Sequence, residues 1–126
     1  MEPLIIEETK STPRIEFDQS KGIFQIRGKS LPEDVMHFYK PVLDWFQKYL
    51  ENPNPTTILE IELEYFNTAS SKIVFEIIKL LKVPSANGKD VKVHWRHNED
   101  DEDNLEVGQD YASLVKVPFI FTAYTG

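Results

Sequence analysis

The stretch Leu59-Glu60-Ile61-Glu62-Leu63-Glu64-Tyr65-Phe66-Asn67-Thr68-Ala69-Ser70-Ser71-Lys72 changes its hydrophobic period halfway along, and that change decides the fold. In the first half Leu59, Ile61, Leu63 and Tyr65 alternate with Glu60, Glu62 and Glu64, the period of a half-buried strand. Beyond the turn Ile73, Val74, Ile77, Ile78 and Leu81 recur at helical spacing. The pattern predicts a strand over 57–65, a helix over 69–82, a break across 84–88 and a second strand over 90–96. In that second strand Val91, Val93 and Trp95 alternate with Lys92, His94 and Arg96. Strand, helix and strand make a βαβ unit, which requires parallel strands and a right-handed crossover. Each strand has one apolar and one charged face, so the sheet is expected to be covered on one side. Glu60, Glu62 and Glu64 then face Lys92, His94 and Arg96 across the open side, each pair contributing about 0.2–1 kcal/mol.

Thr68 stands at the mouth of the helix, where backbone N–H groups point outward unpaired and the helix dipole is positive. A phosphate on its hydroxyl would be stabilised there. The commoner role of Asn67, Thr68 or Ser70 at such a position is simply to cap the helix. The helix itself is unusually apolar, since Phe75 and Leu80 lie partly off the main stripe. Either it is packed deeply between neighbours, or its first turns, with Phe66, Asn67 and Phe75, form an exposed recognition patch around the hydroxyl.

Working outward, residues 4–6 read as a short strand, and 14–18 with 22–27 as a hairpin turning at Gln19, Ser20 and Lys21. Ser30-Leu31-Pro32-Glu33 has the form of a capping box with proline in the first turn, so a helix is expected to start there. Val35, Phe38, Tyr39, Val42, Phe46, Tyr49 and Leu50 give that helix its apolar face, and Pro41 is expected to kink it. Asn52-Pro53-Asn54-Pro55 ends it. Residues 105–116 read as a short helix and 117–124 as a last strand, with Pro118 marking a sheet edge. The whole is expected to be one α/β domain over 1–126: a mixed sheet of about five to six strands with helices mainly on one face.

The 126 residues suffice for one core, and 40% hydrophobic and 12% aromatic residues suit a packed globule. A net charge of −7 disfavours the phosphate backbone of a nucleic acid as partner. Without cysteine, disulfides and thiolate chemistry are excluded. No apolar run reaches membrane-spanning length and no leader pattern opens the chain, so a cytoplasmic protein without membrane insertion is expected.

Glu99-Asp100-Asp101-Glu102-Asp103 lacks the alternating oxygen ligands and central glycine of an EF-hand loop, and reads instead as a solvated loop favouring the start of the next helix. His37, His94 and His97 have no ligand spacing, so no metal is assigned. The carboxylates of Glu60, Glu62 and Glu64 are in water on an open sheet, which leaves nothing to tune them for acid–base work. A small enzyme using that face is the weakest alternative.

The run EYFNTASSK over 64–72 and the run HNEDDEDNLEVGQDYASLVKVPF over 97–119 resemble the SiaC family of bacterial regulatory phosphoproteins across essentially the whole chain. The resemblance implies a small cytoplasmic phosphoprotein, not an enzyme and without a cofactor, modified on the threonine of the strand-to-helix turn, here Thr68. It implies a serine/threonine kinase, a PP2C-type phosphatase and a diguanylate cyclase as partners. The unphosphorylated form activates the cyclase, raising cyclic di-GMP and promoting biofilm formation or aggregation. Phe66, Asn67, Ser70, Ser71, Lys72 and Phe75 around Thr68 are then candidate partner-binding residues, and the acidic run a candidate contact for a basic partner surface. The element order is also similar to the STAS domains of anti-sigma factor antagonists, by architecture alone, since the turn sequence differs. A STAS-type switch acting on transcription is the alternative reading.

Overall fold

In the computed structural model, which describes Met1–Gly126, the alternating segments form one six-stranded sheet in chain order. β1 (Leu4–Ile6), β2 (Arg14–Asp18) and β3 (Ile23–Ser30) are antiparallel neighbours. β4 (Thr56–Phe66), β5 (Asp90–Asn98) and β6 (Phe119–Tyr124) continue the sheet in parallel with β3. The crossovers are α1 (Val35–Tyr49), then α2 (Thr68–Lys79) with a short α3 (Lys82–Ala86), then α4 (Glu102–Val115). Each new parallel strand is added to the same edge, and right-handed crossovers repeated in one direction put every helix on the same face. The opposite face is left to the charges.

The covered face is a single core. Ile15, Phe17, Phe24, Ile26, Leu59, Ile61, Val93 and Trp95 from the strands meet Tyr39, Val42, Phe46, Ile77 and Ile78 from the helices, each at most 1% exposed. On the open face Arg96 Nε lies 2.6 Å from Glu62, and His94 Nδ1 lies 3.4 Å from Glu60. Two rungs of the expected cross-strand ladder therefore form between β4 and β5, while Lys92 lies instead 3.9 Å from Asp90. β3 joins it through Arg27, 3.8 Å from Glu62, and Lys29, 3.9 Å from Glu64.

Three expectations are corrected. The Ser30 capping box is absent, because Ser30 ends β3 opposite Phe66, and the cap of α1 is Asp34, whose side chain accepts from the His37 amide at 3.1 Å. Parallel pairing of the strand outweighs the local cap signal. Pro84 does not break the helical segment but sits inside α3, near its start, where a missing N–H is harmless. The reversal comes later, at Gly88 with φ +83°. Tyr65, read as an inward position of the alternation, is 63% exposed. The register between β3 and β4 slips there: Gly28 opposes Leu63 and Lys29 opposes Tyr65, leaving Glu64 as the extra residue of a bulge. A bulge inverts every side chain beyond it, so Tyr65 turns out and Phe66 turns in.

Candidate functional site

The turn from β4 to α2 is held by hydrogen bonds that leave one hydroxyl uncommitted. Asn67 caps α2 with extended backbone, its side chain accepting from the Ser70 amide at 2.8 Å. Its own N–H donates to the Ser30 carbonyl at 3.2 Å. Ser70 Oγ donates to the same carbonyl at 3.0 Å and accepts from Ser30 Oγ at 2.8 Å. Ser30 Oγ also meets the Tyr39 hydroxyl at 2.6 Å. The Ser30 proton is used on Ser70, so the Tyr39 O–H is the donor to Ser30, and the relay runs Tyr39 to Ser30 to Ser70 to the Ser30 carbonyl. All three side chains are 0% exposed. Burial pushes the Tyr39 phenol up to about 12, its bond with Ser30 opposing only part of that.

Thr68 is the first residue of α2 and is exposed. None of the bonds that fasten the turn uses its hydroxyl. Ser70 and Ser71 consume the neighbouring donors and acceptors, with the Ser70 amide on Asn67 Oδ1 and the Ser71 amide on the Asn67 carbonyl at 2.9 Å. The Thr68 and Ala69 amides, the first two of the helix, are left facing outward beside the hydroxyl.

The other candidate residues divide by depth. Lys72 is exposed and Asn67 half-buried. Ser70 is fully buried, so it shapes the turn and presents nothing to a partner. Ser71 ties α2 to α4: its hydroxyl lies 2.6 Å from the Tyr111 hydroxyl, which in turn donates to the Ser71 carbonyl at 2.7 Å. Burial raises the Tyr111 phenol, and the Ser71 bond lowers it by less. Phe66 packs edge-to-face on Trp95 at 6.5 Å, and Phe75 on Tyr111 at 4.8 Å with Lys79 over its ring. Both rings are half-buried against the core, between the two readings, and the aromatic most exposed to solvent is Tyr65.

Beneath the turn, α4 approaches the sheet closely. Trp95 Nε1 donates to Asn104 Oδ1 at 2.9 Å, and Asn104 Nδ2 donates to the Leu63 carbonyl at 2.8 Å. Gly108 lies flat against the Trp95 ring, where an added Cβ would come within 2.7 Å of Nε1. The acidic run behaves as expected: Asp101 caps α4 by accepting from the Asn104 amide at 3.0 Å, and Glu102 and Asp103 occupy its first turn. His37 is exposed on α1, while His94 and His97 project from opposite faces of β5, His94 to the open face and His97 into the covered one. The three histidines are not brought together.

The chain matches the family described as SiaC family regulatory phosphoprotein over residues 6–124. An uncharacterized protein of Pseudomonas aeruginosa strain UCBPP-PA14 is 29% identical over 124 residues, 98% of each chain. The crystal structure of apo-SiaC from Pseudomonas aeruginosa superposes with a TM-score of 0.86 at 30% identity, covering 98% of this chain and 100% of that one. The crystal structure of the diguanylate cyclase SiaD in complex with its activator SiaC, from the same organism, gives 0.90 at 29% identity, covering 96% of this chain and 99% of the matched one.

Proposed function

The chain belongs to the SiaC family of regulatory phosphoproteins, and from that footing we propose that it is a switch controlled by phosphate on Thr68. A serine/threonine kinase adds the phosphate and a PP2C-type phosphatase removes it. In the addition Thr68 Oγ1 forms a bond to the γ-phosphorus of ATP, the bridging bond to ADP breaks, and the hydroxyl proton leaves to a base on the kinase. The unphosphorylated form binds and activates a diguanylate cyclase, as SiaC of Pseudomonas aeruginosa does in its complex with SiaD. Higher cyclic di-GMP then promotes biofilm formation or aggregation. The protein acts by binding and carries out no reaction of its own.

The observation that carries this reading is the contrast within the turn. Ser70 and Ser71 are spent on structural bonds, whereas Thr68 is exposed and flanked by the two outward amides of α2. A phosphate there gains from those amides and from the helix dipole. The carboxylates of the open face lend nothing to an enzymatic reading, because Glu60 and Glu62 are spent on His94 and Arg96. Incubation with the cognate kinase and ATP should add one phosphate, with Thr68→Ala abolishing it. Tandem mass spectrometry locates the label, and a label on Ser70 or Ser71 that survives Thr68→Ala would overturn the assignment.

A further inference from the structure

The charge of this protein is gathered in one place. Glu99, Asp100, Asp101, Glu102, Asp103, Glu106 and Asp110 are seven carboxylates with no lysine or arginine among them. Setting these seven aside leaves 14 of the 21 acidic residues, equal in number to the lysines and arginines, so this segment carries the whole net charge of −7. None of the seven is within ion-pairing distance of a base. The open face of the sheet is the opposite case: Glu16, Glu62 and Glu64 each have a lysine or arginine within 4.0 Å, and Glu60 lies 3.4 Å from His94.

Two of these carboxylates, Asp101 and Asp103, border a cleft of about 320 Å³ between the end of β4 and the first turns of α4. Tyr65, Phe66 and Val107 supply its apolar surface, and Glu64, Asp101 and Asp103 its rim. Tyr65 reaches into solvent because of the bulge at Glu64, so a large aromatic stands uncovered beside the acidic rim. Phe66, which lines the cleft, lies two residues before Thr68 in the chain.

We propose that this cleft is the docking surface for a lysine- and arginine-rich segment of a protein partner, anchored by one large apolar side chain against Tyr65, Phe66 and Val107. Concentrated charge of one sign attracts a partner of the other, while an apolar pocket within it supplies the contact that persists at high salt. Seven like charges on one helix end and its preceding loop repel one another in the free protein, and a basic segment relieves that repulsion on binding. The proposal rests on the reading that the protein works by binding. It does not depend on which enzyme modifies Thr68.

The test uses the full chain, labelled with nitrogen-15, and two short amphipathic peptides that share leucine and phenylalanine on one face. One carries arginines on the other face, its twin glutamates. The arginine peptide is expected to bind at least about tenfold more tightly at about 50 mM salt, the difference shrinking as the Debye length shortens at about 300 mM. Amide shifts should cover Glu64–Phe66 and Asp101–Val107. Glu102→Gln with Asp103→Asn and Glu106→Gln should lower that affinity about tenfold. Tyr65→Ala should weaken binding with its salt dependence unchanged, circular dichroism showing both variants folded. Equal binding of the two peptides overturns the proposal. So do shifts confined to 99–103 without the cleft residues, which would mark loose counterion exchange. Thr68 phosphorylation by the kinase is measured separately, so failure here leaves the switch assignment standing or falling on its own result.

Discussion

Ser70 and Ser30 exchange two hydrogen bonds, Ser70 Oγ giving to the Ser30 carbonyl at 3.0 Å and receiving from Ser30 Oγ at 2.8 Å. The turn bearing Thr68 is thereby tied to the end of the neighbouring strand, with Tyr39 of α1 closing the relay from below. Every polar atom in it is satisfied, which is what makes a buried network stabilising.

Removing one member strands a buried hydroxyl: Ser30→Ala leaves the Tyr39 O–H without its acceptor, and Ser70→Ala leaves the Ser30 O–H without one. Ser30→Ala and Ser70→Ala should each destabilise by about 1–3 kcal/mol. The double variant should cost clearly less than the sum, because the second removal deletes a group that the first had already stranded. Urea denaturation followed by circular dichroism gives the three values. Strict additivity would mean that the two hydroxyls do not act as a unit.

The same relay sets an alkaline limit. Burial holds the Tyr39 phenol at about 12 in the fold, against an ordinary value near 10 in the unfolded chain. Between those values the unfolded chain has released the proton and the folded one has kept it, so stability is intact below pH 10 and falls as pH rises toward 12. The loss from this group is about 2–3 kcal/mol. Tyr39→Phe should be less stable at neutral pH and should show a smaller further loss across that window. An unchanged alkaline slope in Tyr39→Phe would move the effect to other groups, Tyr111 and Tyr124 being raised as well.

Gly108 tests how tightly α4 sits on the sheet. Alanine is the better helix former by about 1 kcal/mol, so propensity alone predicts stabilisation. The new methyl would lie 2.7 Å from Trp95 Nε1 and 2.8 Å from two ring carbons, with the ring pinned by Asn104. Overpacking of a rigid neighbour costs about 1–3 kcal/mol or more and wins. Gly108→Ala should lower the melting temperature and shift the Trp95 fluorescence, and a stabilised variant would refute the close fit.

The central βαβ unit was legible because period, length and turn chemistry agree from Leu59 to Trp95, and the edge position of β6 followed from Pro118. Asn67 was one of three residues legible as the cap of α2, and the run Glu99–Asp103 was legible as favouring the next helix, though not Asp101 as its cap. What could not be read depends on residues far apart in the chain. Ser30 looks like a cap until β4 pairs with β3, and the fate of Tyr65 turns on a register slip opposite Gly28. A glycine in a strand pattern is the one sequence signal that could have raised the bulge. The contacts of Tyr111 with Ser71 and of Asn104 with Trp95 and Leu63 bridge separate elements and leave no periodic trace.

The sign of the switch follows from where a phosphate charge would go. In the free protein it gains about 0.3–2 kcal/mol from the first turn of α2, so phosphorylation should leave the fold intact. Against a partner, the group is covered and its charge of roughly −1.5 to −2 must be stripped of water. Where the partner brings no arginine cluster of its own to Thr68, nothing replaces that water. A net penalty of about 4 kcal/mol weakens binding on the order of a thousandfold. The phosphorylated protein, and less completely Thr68→Glu, should therefore bind the cyclase far more weakly than Thr68→Ala, with similar melting temperatures for all three. Isothermal titration with the purified cyclase decides it: equal or tighter binding by the phosphorylated form would mean that the partner reads the phosphate as a ligand, and release by phosphorylation would be wrong.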